Sequence, residues 1–172
     1  MPLILIASAA LQAQPRPSEY QVKAAYLFNF GRFVRWPAGA PPERFTICVL
    51  GRDPFGAELD AAVAGVTIDG QRAVARRLDS PQDVGGCRVV FISASEDNQL
   101  SQVLETLGRS PVLTVSDMPQ FTTRGGMIQF VADANRVRFE VNLTTAESAG
   151  LMFSSELLKV AVAIRRVPRG GA

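Results

Sequence analysis

CRVVFISASEDNQLSQVLETLGRSPVLTVSD, residues Cys87–Asp117, holds the pattern that decides the architecture. Arg88–Ser93 is a run of β-branched and aromatic residues, which predicts a strand. Ser95 suits a helix cap, and Leu100, Val103, Leu104 and Leu107 then recur at helical spacing until Gly108 closes the segment. Val112–Val115 is a second strand. Strand, helix and strand in this order predict an α/β fold with helices on the faces of a sheet.

Working outward, Phe45–Leu50 reads as an earlier strand, and Asp53-Pro54 as the start of a helix over Phe55, Leu59, Ala62 and Val63, ended by Gly65. Asp69-Gly70 predicts a tight turn between Val66–Ile68 and Gln71–Leu78. Met127–Ala132 and Arg136–Leu143 form a second hairpin around Asp133-Ala134-Asn135, so the sheet is mixed. Thr144 to Glu147 has the spacing of a capping box. Ser154 or Ser155 opens a last helix running to Arg165–Arg166. A first helix spans about Ser18 to Arg35, capped by Ser18 and stopped by Pro37. The expectation is one α/β domain over residues 18–167, three layers deep, with 168–172 as tail. Strand order is not legible.

Composition excludes several classes. The 172 residues are 47% hydrophobic and 20% charged, as in a globular protein. The net charge is +2, and the densest basic runs are the pairs Arg76–Arg77 and Arg165–Arg166. No stripe of charge marks a nucleic-acid site. The chain has no histidine, which removes Ser-His-Asp and Cys-His chemistry and the commonest metal ligand. We therefore expect no enzyme, metal or cofactor.

The opening MPLILIASAALQA resembles the apolar and small-residue regions of a secretory leader, residues 1–13, and is too short to span a bilayer. No other stretch is a transmembrane candidate. Cys48 and Cys87 lie in or beside strand-like runs 39 residues apart. In the cytosol they would be inert buried thiols; after export they suggest one disulfide, worth about 4 kcal/mol by chain entropy.

Three places could bind something. Gly51, Asp53, Ser93, Ser95, Ser116 and Asp117 fall at strand ends, where open α/β sheets hold small ligands. The same residues suit ordinary caps and turns. On the late hairpin Val137, Phe139 and Val141 point one way and Arg136, Arg138, Glu140 and Asn142 the other, as a solvated row or a grip. In YLFNFGRFVRWP, Tyr26–Pro37, the residues Val22, Tyr26, Phe30, Phe33 and Trp36 share a core stripe with Leu27 and Val34 at its edge. Phe28 points away beside Arg32 and Arg35, as in a protein contact.

In KAAYLFNFGRFVRWP, FTICVLGRDPFG, CRVVFIS, VLTVSD, GGMIQFVADANRVRFEVN and AGLMFSSELLKVA, in this order, the chain resembles the YfiR family from about Glu19 to Leu158. The resemblance implies a periplasmic, non-enzymatic repressor, typically a homodimer. It would bind the periplasmic sensor part of an inner-membrane diguanylate cyclase, and an outer-membrane lipoprotein would sequester it. It implies a Cys48–Cys87 disulfide, and no cysteines remain for the second bridge of the family's namesake. On that reading Glu140, Arg138, Ile128, Phe130 and Phe28 are the expected contacts. The alternative is a periplasmic small-ligand binder that informs a sensor kinase or transporter.

Overall fold

Ser18 opens the first helix as expected. Its hydroxyl accepts from the Gln21 N–H at 3.2 Å, and its own N–H donates to the Gln21 side chain at 2.8 Å. This computed structural model describes residues 15–39 and 42–166, so the leader and tail expectations lie outside the described residues. Helix α1 is Glu19–Phe33. It ends two residues before the predicted limit, because Val34–Arg35 leaves it as a short strand, β1.

The chain continues with β2 (Arg44–Leu50), α2 (Ala57–Val63), β3 (Thr67–Ile68), β4 (Gln71–Leu78), β5 (Cys87–Ile92), α3 (Leu100–Leu107) and β6 (Leu113–Ser116). It closes with β7 (Ile128–Asp133), β8 (Arg136–Asn142), α4 (Leu143–Ser148), β9 (Met152–Phe153), α5 (Ser155–Val160) and β10 (Ala163–Arg165). Eight strands form one sheet in the order β10-β8-β7-β6-β5-β2-β4-β3. The adjacent strands β4, β2, β5, β6 and β7 run parallel; β3 is antiparallel to β4, β8 is antiparallel to β7, and β10 is parallel to β8. The chain thus enters mid-sheet at β2, steps out to β4, and crosses back to β5 on the other side. That reversal is the switch point of a doubly wound sheet.

Two cores sandwich the sheet. On one face Ile47, Val49, Phe91 and Val115 pack with residues of α1, α2, α4 and α5. On the other, Leu50, Val90 and Ile92 pack against Leu100, Val103 and Leu107 of α3. The fold is therefore the expected single α/β domain with a mixed sheet between helices.

Cys48 and Cys87 are bonded, with Cα atoms 5.9 Å apart. A bulge makes this possible. Thr46 pairs with Cys87 and Ile47 with Val89, so Arg88 is an extra residue in β5. Strict alternation would put Cys87 on the same face as Val89. The extra residue turns it toward α3, the side that Cys48 faces. Arg88 instead lies over the Trp36 ring, 5.5 Å from its centroid, and burial pushes its guanidinium pKa down.

Several local expectations are corrected. Asp53 does not cap α2: its Oδ1 takes the Phe55 N–H at 2.8 Å, and the helix starts after Gly56, whose φ of +53° redirects the chain. Ser93, not Ser95, caps the turn that follows β5, a 3-10 segment over Ala94–Gln99 leading into α3. Asn142 caps α4 by accepting from the Thr145 N–H at 3.1 Å, so the helix begins ahead of the predicted Thr144 box. The last helix stops at Val160. Val162, Ala163, Ile164 and Arg165 favour extended backbone, and β8 offers an edge that Ala163–Arg165 closes in parallel.

Candidate functional site

The ends of β2 and β5 meet at the switch point, where the Ser93 N–H donates to the Leu50 carbonyl at 3.0 Å. Around them lies a cleft of about 470 Å³ lined by Tyr20, Arg52, Asp53, Ser93, Ser95 and Asp117, among others. Four of the six predicted pocket residues thus come together. Gly51 stands behind them: a Cβ there would come within 2.4 Å of Ser95 Oγ, and φ is +86°. Ser116 is fully buried; its hydroxyl donates to the Ile92 carbonyl at 2.7 Å and accepts from the Met118 N–H at 3.1 Å. It braces the sheet and does not face the cleft.

The residues that hold the cleft together are mostly ones the sequence did not single out. Asp117 accepts from Lys23 Nζ at 2.7 Å and from the Tyr20 hydroxyl at 3.1 Å. Lys23 is 4% exposed; it also pairs with Glu19, and its ammonium lies 4.5 Å from the Tyr20 ring centroid. Burial alone would lower its pKa, but hydrogen bonds to Asp117 and Glu19 outweigh it and hold the pKa above the ordinary lysine value. Burial, then the charge of Asp117, raises that of Tyr20. Arg77 donates to both Asp60 oxygens at 2.7 and 2.8 Å, to Asp53 at 2.9 Å and to the Gly56 carbonyl at 2.7 Å. Those bonds hold the Asp60 carboxyl below its ordinary range. Arg76 bonds the Asp83 and Gly85 carbonyls, so neither half of this basic pair is a free positive patch.

Ser95 accepts from the Arg52 N–H at 2.9 Å and donates to Glu96 at 3.0 Å. The cleft can grip hydrogen-bonding groups. With no imidazole in the chain, none of its serines has the usual base to take its proton.

The late hairpin presents only part of its expected polar row. Its turn is Ala134-Asn135, at φ of +46° and +60°. The outer side of β8 is covered by β10, with Ala163 opposite Glu140. Glu140 is half-hidden, taking the Thr122 hydroxyl and lying 3.5 Å from Arg165 Nε. Asn142 is buried rather than solvated and donates to the Thr122 carbonyl at 2.8 Å. Ile128 and Phe130 are buried at 0% and 3% exposure, so their side chains offer no surface. The cause is an aromatic cluster: Phe130 stacks on Phe30 at 5.9 Å, beside Tyr26 and Phe139.

The stripe of α1 is also rotated from its predicted position. Lys23, Ala24, Leu27, Phe30 and Gly31 are its buried residues. Gly31 sets the rotation, since a Cβ there would lie 2.5 Å from the Phe45 ring. Trp36 leaves the helix and packs edge-on against Phe45 at 5.5 Å. Phe28 is half-buried under Arg32, whereas Phe33 is exposed.

Phe33 belongs to a second feature. Among the described residues the exposed large hydrophobics are Phe33, Met152, Val160, Val162 and Ile164. They follow one flank: the end of α1, β9 beside it, α5, and β10. Between α1 and α5 runs an apolar groove of about 360 Å³, lined by Tyr26, Phe30, Phe33, Phe139, Leu157 and Val160, among others. The alternation Val160, Val162, Ile164 signalled it, but its helical assignment hid it.

The family model that describes YfiR/HmsC-like proteins matches residues 20–162. The chain belongs to the YfiR/HmsC-like family. No described helix is long and apolar enough to cross a membrane. The Cys48–Cys87 bridge expected from the YfiR resemblance is present. The fold is similar to a conserved domain protein from Vibrio cholerae O1 biovar eltor, with TM-score 0.61, 11% identity, and coverage of 86% of this chain and 60% of that one. It is also similar to the ABC domain in complex with L-Trp from Streptococcus pneumonia, with TM-score 0.59, 12% identity, and coverage of 83% and 60%. The YfiR/HmsC-like chain thus spans three fifths of each solved protein, and the likeness is one of fold.

Proposed function

We propose that the protein is an exported, non-enzymatic repressor that binds the periplasmic sensor part of an inner-membrane diguanylate cyclase. The family match carries this reading. The exposed apolar flank supports it, because a chain that keeps its large hydrophobics outside on one side has something to cover them. Phe28, Arg138 and Glu140 are the proposed contacts, and Ile128 and Phe130, buried on the α1 side, would act by holding the shape of the hairpin. To repress, the protein must bind the inactive sensor conformation more tightly than the active one. A homodimer and a sequestering outer-membrane lipoprotein complete the scheme. Deleting the gene in cells that express the cognate cyclase should raise cyclic di-GMP; an unchanged level rejects the reading.

A second reading rests on the switch-point cleft: a small-ligand binder that informs a sensor kinase or transporter. Asp53, Ser93, Ser95 and Asp117 would supply the polar contacts. A thermal-shift screen of periplasmic metabolites, amino acids included, separates the two, since only this reading expects a strong hit that Asp117→Ala abolishes.

A further inference from the structure

We propose that the open side of β10, with the apolar groove beside it, receives an extended acidic segment of a partner protein, which adds to the sheet as a ninth strand. The inference rests on the repressor reading only for the partner being a protein.

Among the described residues β10 is hydrogen-bonded on one side only, since it ends the sheet. The Val162 N–H donates to the Phe139 carbonyl at 2.9 Å, toward β8. Strand alternation then points the N–H and C=O groups of Ala163 and Arg165 outward. An unprotected edge is a template for another strand. Natural sheets blunt such edges with proline, a bulge, charges or a covering loop; among the described residues Val162–Arg165 has no proline and no covering strand, and Arg165 is its one charge. Beside the edge, Val160, Val162 and Ile164 are 55%, 44% and 46% exposed, so the surface that would flank an added strand is apolar. Hydrocarbon is a poor occupant, because unpaired backbone groups are costly there.

Charge gives the sign of the partner. Arg35 opposite Met152, Lys159 on α5, and Arg165 and Arg166 at the end of β10 are all exposed along this flank. Against them stand Glu156, Glu147 and the half-hidden Glu140, the last two already close to Arg166 and Arg165. The surplus is positive, which favours a segment that alternates apolar and acidic residues and disfavours a second copy with the same rim.

The test uses the whole protein and a synthetic peptide alternating valine or isoleucine with glutamate, followed by fluorescence anisotropy. The peptide should bind, and a lysine-for-glutamate version should bind about tenfold more weakly at low salt. Ala163→Pro removes an outward donor without touching the β8 ladder, and should weaken binding about tenfold. Val160→Asp, on a helix and away from the ladder, should do the same, and keeps the test valid if the proline variant fails to fold. Equal binding by both variants, or by both peptides, overturns the proposal. So does a dimer that becomes a monomer on Val160→Asp, which would assign the flank to a second copy. If cyclic di-GMP rises on gene deletion but the peptide does not bind, this inference alone fails. If the peptide binds and deletion changes nothing, the cyclase reading fails instead.

Discussion

The switch-point cleft and the β10 flank belong to one sheet and are finished in opposite ways. In the cleft, each carboxylate named above already has partners inside the chain: Asp117 takes Lys23 and Tyr20, and Asp53 takes Arg77 and the Phe55 N–H. Its hydroxyls are bonded as well. On the flank, β10 ends the sheet among the described residues and large apolar side chains stand exposed. A polar site saturated from within serves stability first. An apolar site left open serves recognition, so changes should be costly in the first region and nearly silent for folding in the second.

The largest effect belongs to the bridge that ties β2 to β5 below the cleft. Replacing Cys48 and Cys87 by alanine should cost about 4 kcal/mol and lower the midpoint by about 10 °C, read by thermal melting. Next is Asp117→Ala, which leaves the buried ammonium of Lys23 only its exposed partner Glu19 and should cost about 3 kcal/mol in urea unfolding. Gly31→Ala, which drives a methyl into the Phe45 ring, should cost about 2 kcal/mol.

Alkaline pH sharpens the contrast. Lys23 and Tyr20 both have folded pKa values above the ordinary ones of 10.5 and 10.0. Their contribution is whole below those values and is lost as pH rises through the folded ones. The wild type should lose stability above about pH 10, and Lys23→Met should flatten that fall. Asp60 works at the other end: its support is present above its ordinary value of 3.8 and fades as pH drops through its lowered folded one. The smallest change in stability should come from the flank, where Met152→Ser or Val160→Ser shifts it by less than about 0.5 kcal/mol. A large loss at either position would erase the distinction between the two regions.

Elements whose signal is local were legible. Ser18 with Gln21, the Asp69-Gly70 turn, and the α3 repeat each depend on neighbours in sequence, and each is where it was expected. Asp53, Ser93, Ser95 and Asp117 line one cleft because strand ends collect at a switch point. What failed depended on distant partners. Val160–Arg165 carries both helical and extended signals, and the free edge of β8 decided for extension. Lys23 carries no local signal of its role, because its partner Asp117 lies far along the chain. The face of α1 turned on Gly31, whose meaning depends on the Phe45 ring opposite. Ile128 and Phe130 were indistinguishable from contact residues by alternation alone.

The extra residue at Arg88 makes sulfur chemistry a reporter of strand alignment. Drawing that one residue into a regular ladder would send the two thiols to opposite layers, so they could not reach each other within a chain. Oxidation would then join neighbouring molecules, and a ladder of covalent multimers on a non-reducing gel would reveal the misaligned sheet.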